Sequence, residues 1–323
     1  MNIYLGIDVG SVTTKMAALD ADDNLVAHIY LQTSGRPIEV VQEGLVRIRE
    51  MLPSDACICG VGTTGSARYL AGVIVGADLI KNEITSHAVA AIRYMPDVRT
   101  ILEIGGQDSK IIIINEGIVT DFGMNTVCAA GTGSFLDHQA LRLSMTIDEF
   151  SQRALESETP VRIAGRCTVF AESDMVHKQQ MGHRTEDILY GLCQALVRNY
   201  LNNVGLGKDI RTPTLFQGGV AFNKAIVKAF EEELETEIIV PPHHEVMGAI
   251  GAALLAHEET AETGESKFSG FGVSDVEYTT SSFECNSCPN HCEIAQLSVD
   301  GRVLARWGGR CDLWERVESG EKR

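Results

Sequence analysis

Residues 6–15 read Gly6-Ile7-Asp8-Val9-Gly10-Ser11-Val12-Thr13-Thr14-Lys15. An apolar strand from Ile3 ends in an acid, a polar glycine turn follows, and Lys15 to Leu19 resumes an apolar strand. Asp20 to Asn24 marks a second turn, and Leu25 to Leu31 a third strand. The same plan restarts near Arg99. Ile101–Ile104 is a strand, Gly105-Gly106-Gln107-Asp108-Ser109 a turn, Lys110–Ile114 a strand, Asn115-Glu116-Gly117 a turn and Ile118–Phe122 a strand. Gly, Asn and Asp between β-branched runs carry these assignments. One supersecondary unit written twice implies a duplicated α/β fold with two similar lobes.

Helices are expected around these units. Ile38, Val41, Leu45 and Ile48 recur at helical spacing within Pro37–Leu52. Leu79–Met95 reads as a connecting helix, and Glu186–Leu201 and Asn223–Glu235 as two more. Pro213–Phe216 and Ile238–Val240 read as short strands. Met247–His257 is a helix of small residues suited to close packing. The expected organisation is a first lobe over 1–97 completed by helix 247–257, a second over 98–246, a linker over 258–280 and a cysteine-rich tail over 281–323. Glu, Thr, Gly and Ser from about Glu258 to Gly270 suggest the linker.

The 323 residues carry 27 Lys+Arg against 44 Asp+Glu, a formal net charge of −17. That balance argues against nucleic acid as the main partner, since a phosphate backbone needs a basic face. At 44% hydrophobic residues the chain can build a core. No apolar run is long enough for a membrane span, and the acid at Asp8 breaks the apolar run of a signal peptide. A cytoplasmic protein is expected, so nine cysteines call for an explanation other than disulfides.

Backbone N–H groups of a glycine turn can hold phosphate, and an adjacent Asp can hold Mg²⁺ through its waters. Gly10, Ser11, Thr13, Thr14 and Lys15 supply this equipment beside Asp8; Gly105, Gly106 and Gln107 supply it beside Asp108. Facing each other, two such turns would clamp a polyphosphate from both sides. Gly218, Gly219 and Val220, with Asn223 following, form a strand-to-helix turn open enough for a flat base. These elements resemble the actin-like (ribonuclease H-like) ATPase superfamily, which includes sugar kinases, actin and chaperones. The resemblance implies ATP and Mg²⁺ as ligands, with Asp8 and Asp108 as the metal- and water-positioning catalytic groups.

Cys128 precedes Ala129-Ala130-Gly131-Thr132-Gly133, and Cys167 precedes Thr168-Val169-Phe170-Ala171-Glu172-Ser173. Each sits just before an expected helix, where the dipole and free N–H groups stabilise a thiolate. Small buried hydrophobes are the alternative reading of such cysteines. These two motifs, with Asn82–Ala88, Gly105–Lys110, Gly218–Val220 and Gly248-Ala249, resemble the 2-hydroxyacyl-CoA dehydratase activators and benzoyl-CoA reductase ATPase subunits. The resemblance covers residues 1 to about 257. It implies a homodimer with one [4Fe–4S] cluster held by Cys128 and Cys167 of both subunits, and Gly131, Thr132 and Gly133 near the nucleotide. It further implies ATP-driven delivery of a low-potential electron to an acyl-CoA dehydratase or reductase, with ferredoxin or flavodoxin as donor. Two rivals are a small-metabolite kinase of the same fold and a non-enzymatic metal or redox regulator. The paired helix-start cysteines count against the first, and the intact phosphate turns against the second.

Cys285-x2-Cys288-x3-Cys292 is followed by Cys311 within Gly308-Gly309-Arg310-Cys311-Asp312. Four cysteines this close signal a metal site, for zinc or a second iron–sulfur cluster, with unmetallated thiols as the remaining reading. A tail this small would draw folding energy from the metal. Cys57, Cys59 and Cys193 read as buried structural residues, His243 and His244 as loop or packing residues, and Glu83 and His87 as hinge or interlobe hydrogen-bonding groups.

Overall fold

β1 (Asn2–Val9), β2 (Thr13–Leu19) and β3 (Leu25–Gln32) form an antiparallel meander, seen here in a computed structural model that describes residues 1–125, 127–311 and 313–314. Thr126, Asp312 and residues 315–323 of the expected tail lie outside the described residues. The chain then crosses through α1 (Pro37–Met51) to β4 (Cys57–Thr64), and through α2 (Arg68–Val75) to β5 (Leu79–Ile80). Both β4 and β5 join in parallel, so the sheet order is β3-β2-β1-β4-β5. A helical crossover between parallel strands is what such a connection requires.

After α3 (Glu83–Tyr94) the plan repeats as β6 (Thr100–Ile104), β7 (Ser109–Asn115) and β8 (Ile118–Asn125). Next come α4 (Gly133–Arg142), α5 (Ile147–Leu155), α6 (Thr168–Gln180) and α7 (Thr185–Asn203). Then β9 (Thr214–Gln217), α8 (Lys224–Leu234) and β10 (Ile238–Ile239) complete the order β10-β9-β6-β7-β8. This is the pairing scheme of the first sheet: two antiparallel joints on one side of the leading strand, two parallel joints on the other. The duplicated actin-like α/β fold is thereby established. α9 (Met247–Thr263) follows, and β11 (Thr279–Glu284), β12 (Glu293–Val299) and β13 (Arg302–Trp307) make a third, antiparallel sheet.

The chain forms two compact units, Met1–Asn82 with Ala252–Arg323, and Glu83–Gly251. The first is cored by Ile3, Leu5 and Ile7 of β1 against Val41, Leu45 and Ile48 of α1. Its small-residue helix packs as its composition suggests: a side chain at Gly62 would overlap the Ala252 carbonyl. The second unit has two clusters, one built on Phe135, Phe150, Tyr200, Phe216 and Phe230, the other on Ala91, Ile101, Ile112 and Leu215.

Four expectations change. Leu79–Ile80 is a strand and the helix starts at Glu83, because Asp78 N–H and Lys81 N–H bond to Val61 and Thr63 of β4. The expected linker is ordered: α9 runs to Thr263, and Phe268, Phe271 and Tyr278 pack on the first unit's core. Asp78 accepts from Ser266 Oγ and Lys267 N–H, and Gln42 donates to the carbonyls of Val273 and Val276. The third sheet also buries Leu297 in that core, with Trp307 beside it, so the tail draws on apolar docking as well as its own chemistry. Cys193 is buried as expected, but Cys57 is exposed and Cys59 half-buried, because they open β4.

Candidate functional site

In the first unit Asp8 stands at the end of β1, paired across the ladder with Lys15, whose Nζ lies 3.2 Å from its carboxylate. The turn is closed by Gly10 N–H to the Thr13 carbonyl at 3.0 Å. Thr33 Oγ1 donates to the Gly10 carbonyl, and Thr14 Oγ1 shares a hydrogen bond with Thr33 Oγ1. Thr14 is fully buried, so its hydroxyl braces the turn from behind, whereas Ser11 is exposed at its tip. Gly65 and Ser66 also abut this turn: Ser66 Oγ donates to the Val9 carbonyl, and a Cβ at Gly65 would lie 2.7 Å from Asp8.

In the second unit Gly105 N–H bonds to the Asp108 carbonyl at 3.0 Å, the counterpart of the Gly10 closure. The ladder pairs Glu103 with Lys110 as it pairs Asp8 with Lys15. Glu103 therefore holds the strand-end place that Asp8 holds in the first unit, and Asp108 lies at the far side of the turn. Lys110 is buried among three carboxylates: Glu83 at 2.7 Å, Asp108 at 2.8 Å and Glu103 at 3.1 Å. Burial alone would lower its pKa, but Glu103, Glu83 and Asp108 outweigh that and hold it well above the ordinary lysine value. Three carboxylates thus meet beside this turn, and carboxylates are the groups through which a hydrated divalent cation is held.

Three further elements converge on this turn. Gly133 N–H and Ser134 N–H, in the first turn of α4, donate to the carbonyls of Gly105 and Gly106, each at 2.9 Å. Gly218 has a left-handed φ of 94° and presses on Ile104. It is clamped by His244, which accepts from Gly218 N–H and places Nδ1 3.0 Å from the Gly218 carbonyl. His244 stacks edgewise on Phe222, which makes it the packing residue expected. Val220 is buried against α4, and Asn223 caps α8 by accepting from Ala225 and Ile226. Gln217 Nε2 lies 2.9 Å from His87 Nδ1.

Cys128 and Cys167 are both half-buried and both hold extended cap positions, Cys128 before a single helical turn at Ala129–Gly131 and Cys167 at the start of α6. Two asparagines unforeseen from sequence shape their loops. Asn125 accepts from Cys128 N–H and donates to its carbonyl. Asn199 of α7 donates to the Gly165 carbonyl, and its Oδ1 lies 2.8 Å from where a Gly131 Cβ would stand. Thr132 is buried and donates to the Ala129 carbonyl. Arg142 of α4 and Glu172 of α6 form an ion pair. Val127, beside Cys128 in sequence, and Val169 and Phe170, close after Cys167, are 94%, 66% and 66% exposed, and exposed apolar side chains of this size are what interaction surfaces use.

In the tail, Cys285 is buried, Cys292 half-buried, and Cys288 and Cys311 exposed. Among the described residues no three of these sulfurs lie within 4.8 Å of one another. No helix of the described residues is long and apolar enough to cross a membrane.

Two lobes of one strand order, each with a glycine turn and an acid at its leading hairpin, define an actin-like ATPase. Residues 5–256 match the model of the BadF/BadG/BcrA/BcrD ATPase family, and the chain belongs to that family. It is 36% identical over 270 residues to the (R)-2-hydroxyglutaryl-CoA dehydratase activating ATPase of Acidaminococcus fermentans, covering 81% of this chain and 100% of that one. It is 26% identical over 287 residues to a component of the benzoyl-CoA reductase of Thauera aromatica, covering 82% and 98%. The solved activator of the 2-hydroxyisocaproyl-CoA dehydratase from Clostridium difficile with bound ADPNP superposes with a TM-score of 0.72 at 32% identity, covering 81% of this chain and 97% of that one.

Proposed function

We propose that this ATPase is an activator that couples nucleotide turnover to delivery of a low-potential electron to an acyl-CoA dehydratase or related reductase in the cytoplasm. Cys128 and Cys167 would hold one [4Fe–4S] cluster jointly with the same pair from a second copy. The donor set fits: two thiols at helix starts, half-accessible, with exposed apolar side chains close to each in sequence. A twofold axis beside them turns two ligands into the four that a cubane requires. With Mg²⁺ and the cluster bound, the chain has charge compensation for a polyphosphate and a one-electron carrier.

The chain's own residues supply the rest. The turns at Gly10–Thr13 and Gly105–Asp108 present N–H groups to phosphate, and Asp8 and Asp108 position hydrated metal and the attacking water. The Gly218–Gly219 turn, held open by His244, receives the base. One observation carries the coupling: α4 is hydrogen-bonded through Gly133 and Ser134 to the phosphate turn, and the segment just before it holds Cys128. A shift of Gly105 and Gly106 on phosphate release pulls directly on that helix. Ferredoxin or flavodoxin is the donor class that suits such an acceptor.

The test is anaerobic purification with iron, sulfide and mass measurements. A dimer with one cluster is expected, and Cys128→Ala and Cys167→Ala each abolish its absorption. Full iron retention in both variants refutes the assignment.

A further inference from the structure

The tail beyond residue 256 lies outside the family match, and the activity proposed above gives its cysteines no role. The strand register nevertheless brings all four to one end of the third sheet. Glu284 and Glu293 are the last pair joining β11 to β12, so Cys285, Cys288 and Cys292 occupy the tight loop that closes that hairpin. Cys285 N–H bonds to the Cys292 carbonyl at 2.8 Å, and His291 N–H to the Cys288 carbonyl at 3.3 Å. Trp307, the last residue of β13, pairs with Ala295 beside the same end. The chain then turns back at Gly308, whose φ is 102° and where a Cβ would lie 2.5 Å from the Glu293 carbonyl. Cys311 follows three residues later, and Trp314 closes the segment by packing edgewise on Phe283, with ring centroids 4.9 Å apart.

We propose that Cys285, Cys288, Cys292 and Cys311 form a tetrathiolate metal centre at this end of the β11–β12–β13 sheet. A second observation points to a bound thiolate. The Trp314 indole N–H is buried without a hydrogen-bond partner, and it stands beside the Cys285 sulfur, as does the Ser287 backbone N–H. N–H groups aimed at a ligating sulfur are the outer-shell partners that metal thiolates use. Arg306, 5.4 Å over the Trp314 ring, brings positive charge to a site that four thiolates would make anionic. On metal binding each thiol would release its proton and the ion would draw the sulfurs together. Tetrahedral sulfur suits zinc and iron–sulfur clusters alike. The metal would clamp the hairpin tip to the 308–311 turn, while Leu297 and Trp307 anchor the sheet to the first unit's core.

The proposal stands apart from the dimer cluster, and its test separates the two. Full-length chain is purified anaerobically as wild type, Cys288→Ser and Cys292→Ser, and zinc, iron and sulfide per chain are measured. The tail centre predicts that one zinc, or the iron and sulfide of one cluster, disappears from both variants while the Cys128/Cys167 iron stays. Equal metal in all three chains overturns it. Alkylation of wild type with iodoacetamide, read by mass spectrometry, covers the case of a variant that misfolds. Cys288 and Cys311 are exposed, so as free thiols they react at once; as metal ligands they react only after chelation. Immediate alkylation of both in metal-replete protein overturns the proposal.

Discussion

The amide of Gly133 donates to the carbonyl of Gly105 at 2.9 Å, joining the start of α4 to the glycine turn between β6 and β7. A side chain at Gly133 would meet Val220 at 3.0 Å and the Gly105 carbonyl at 3.1 Å, so the joint has no slack. Gly133→Val is expected to push α4 off the turn and to cost about 1–3 kcal/mol, the usual price of overpacking. Its specific effect is on coupling. If Cys128 and Cys167 hold iron as proposed, ATP should alter the rate at which a chelator strips it from wild type; in Gly133→Val that response should vanish while the iron content holds. An unchanged ATP response in the variant would show that the signal takes another route.

Lys110 forms ion pairs with Glu83, Glu103 and Asp108. Lys110→Met removes the buried ammonium that pairs with the buried Glu103 carboxylate, and removing one partner of a buried pair costs about 3–5 kcal/mol. Urea unfolding checks this, and Glu103→Gln added to Lys110→Met should recover part of the loss. The folded pKa of Lys110 is raised, so its contribution is complete below the unfolded value, about 10.4, and fades as pH rises through the folded value. The stability gap between wild type and Lys110→Met should therefore be flat across neutral pH and narrow only in strong alkali.

Much of this architecture was legible because glycine and acid punctuate short β-branched runs: all six strands of the two meanders were expected, with ends extended by one to three residues in the structure. β4 and α2 were not read, because Cys57–Val75 mixes glycine and small apolar residues with no contrast between period 2 and period 3.6. In the site, Glu103 was missed since a lone acid inside a strand reads as a ladder residue. Only the register, which pairs it with Lys110 as Asp8 pairs with Lys15, gives it a place. Asn125 and Asn199 were hidden for another reason: Asn199 lies far along the chain from the loops it braces, and a polar residue in α7 carries no local signal of a distant carbonyl. The helix-start positions of Cys128 and Cys167 were expected from the residues that follow them, and the structure has them there.

Asp187 opens α7 and accepts four hydrogen bonds, from Ser157 Oγ, Glu158 N–H, Thr159 N–H and Thr159 Oγ1. Burial alone would raise its pKa; those donors outweigh burial and hold it below the ordinary Asp value. The folded pKa is depressed, so this stability is present above the unfolded value, about 3.9, and is lost as pH falls through the folded one. Asp187→Asn turns one acceptor into an amide donor facing N–H groups, at a cost of about 1–3 kcal/mol. Thermal melts should show that loss at neutral pH and a smaller one near pH 3; an equal loss at both would mean the carboxylate's charge is irrelevant.

Gly218→Ala tests the turn proposed to receive the base. At a φ of 94° any side chain is strained, and the new Cβ would lie 2.5 Å from the Ile104 carbonyl and 2.8 Å from Glu103. The Ile104 carbonyl is a fixed part of the central strand, so the turn must yield, and with it the His244 clamp. Strain of this kind costs about 1–3 kcal/mol. If the turn receives the base, that shift also appears in binding, and about 1.4 kcal/mol is a tenfold loss of affinity. Gly264→Ala is the matched control: it carries a left-handed φ of 82° but has nothing within 4 Å of the new Cβ. Titration with a fluorescent ATP analogue should show weaker binding for Gly218→Ala by about tenfold or more and no change for Gly264→Ala. Equal affinities would place the base elsewhere, because backbone strain at 218 would then have stayed local to the fold.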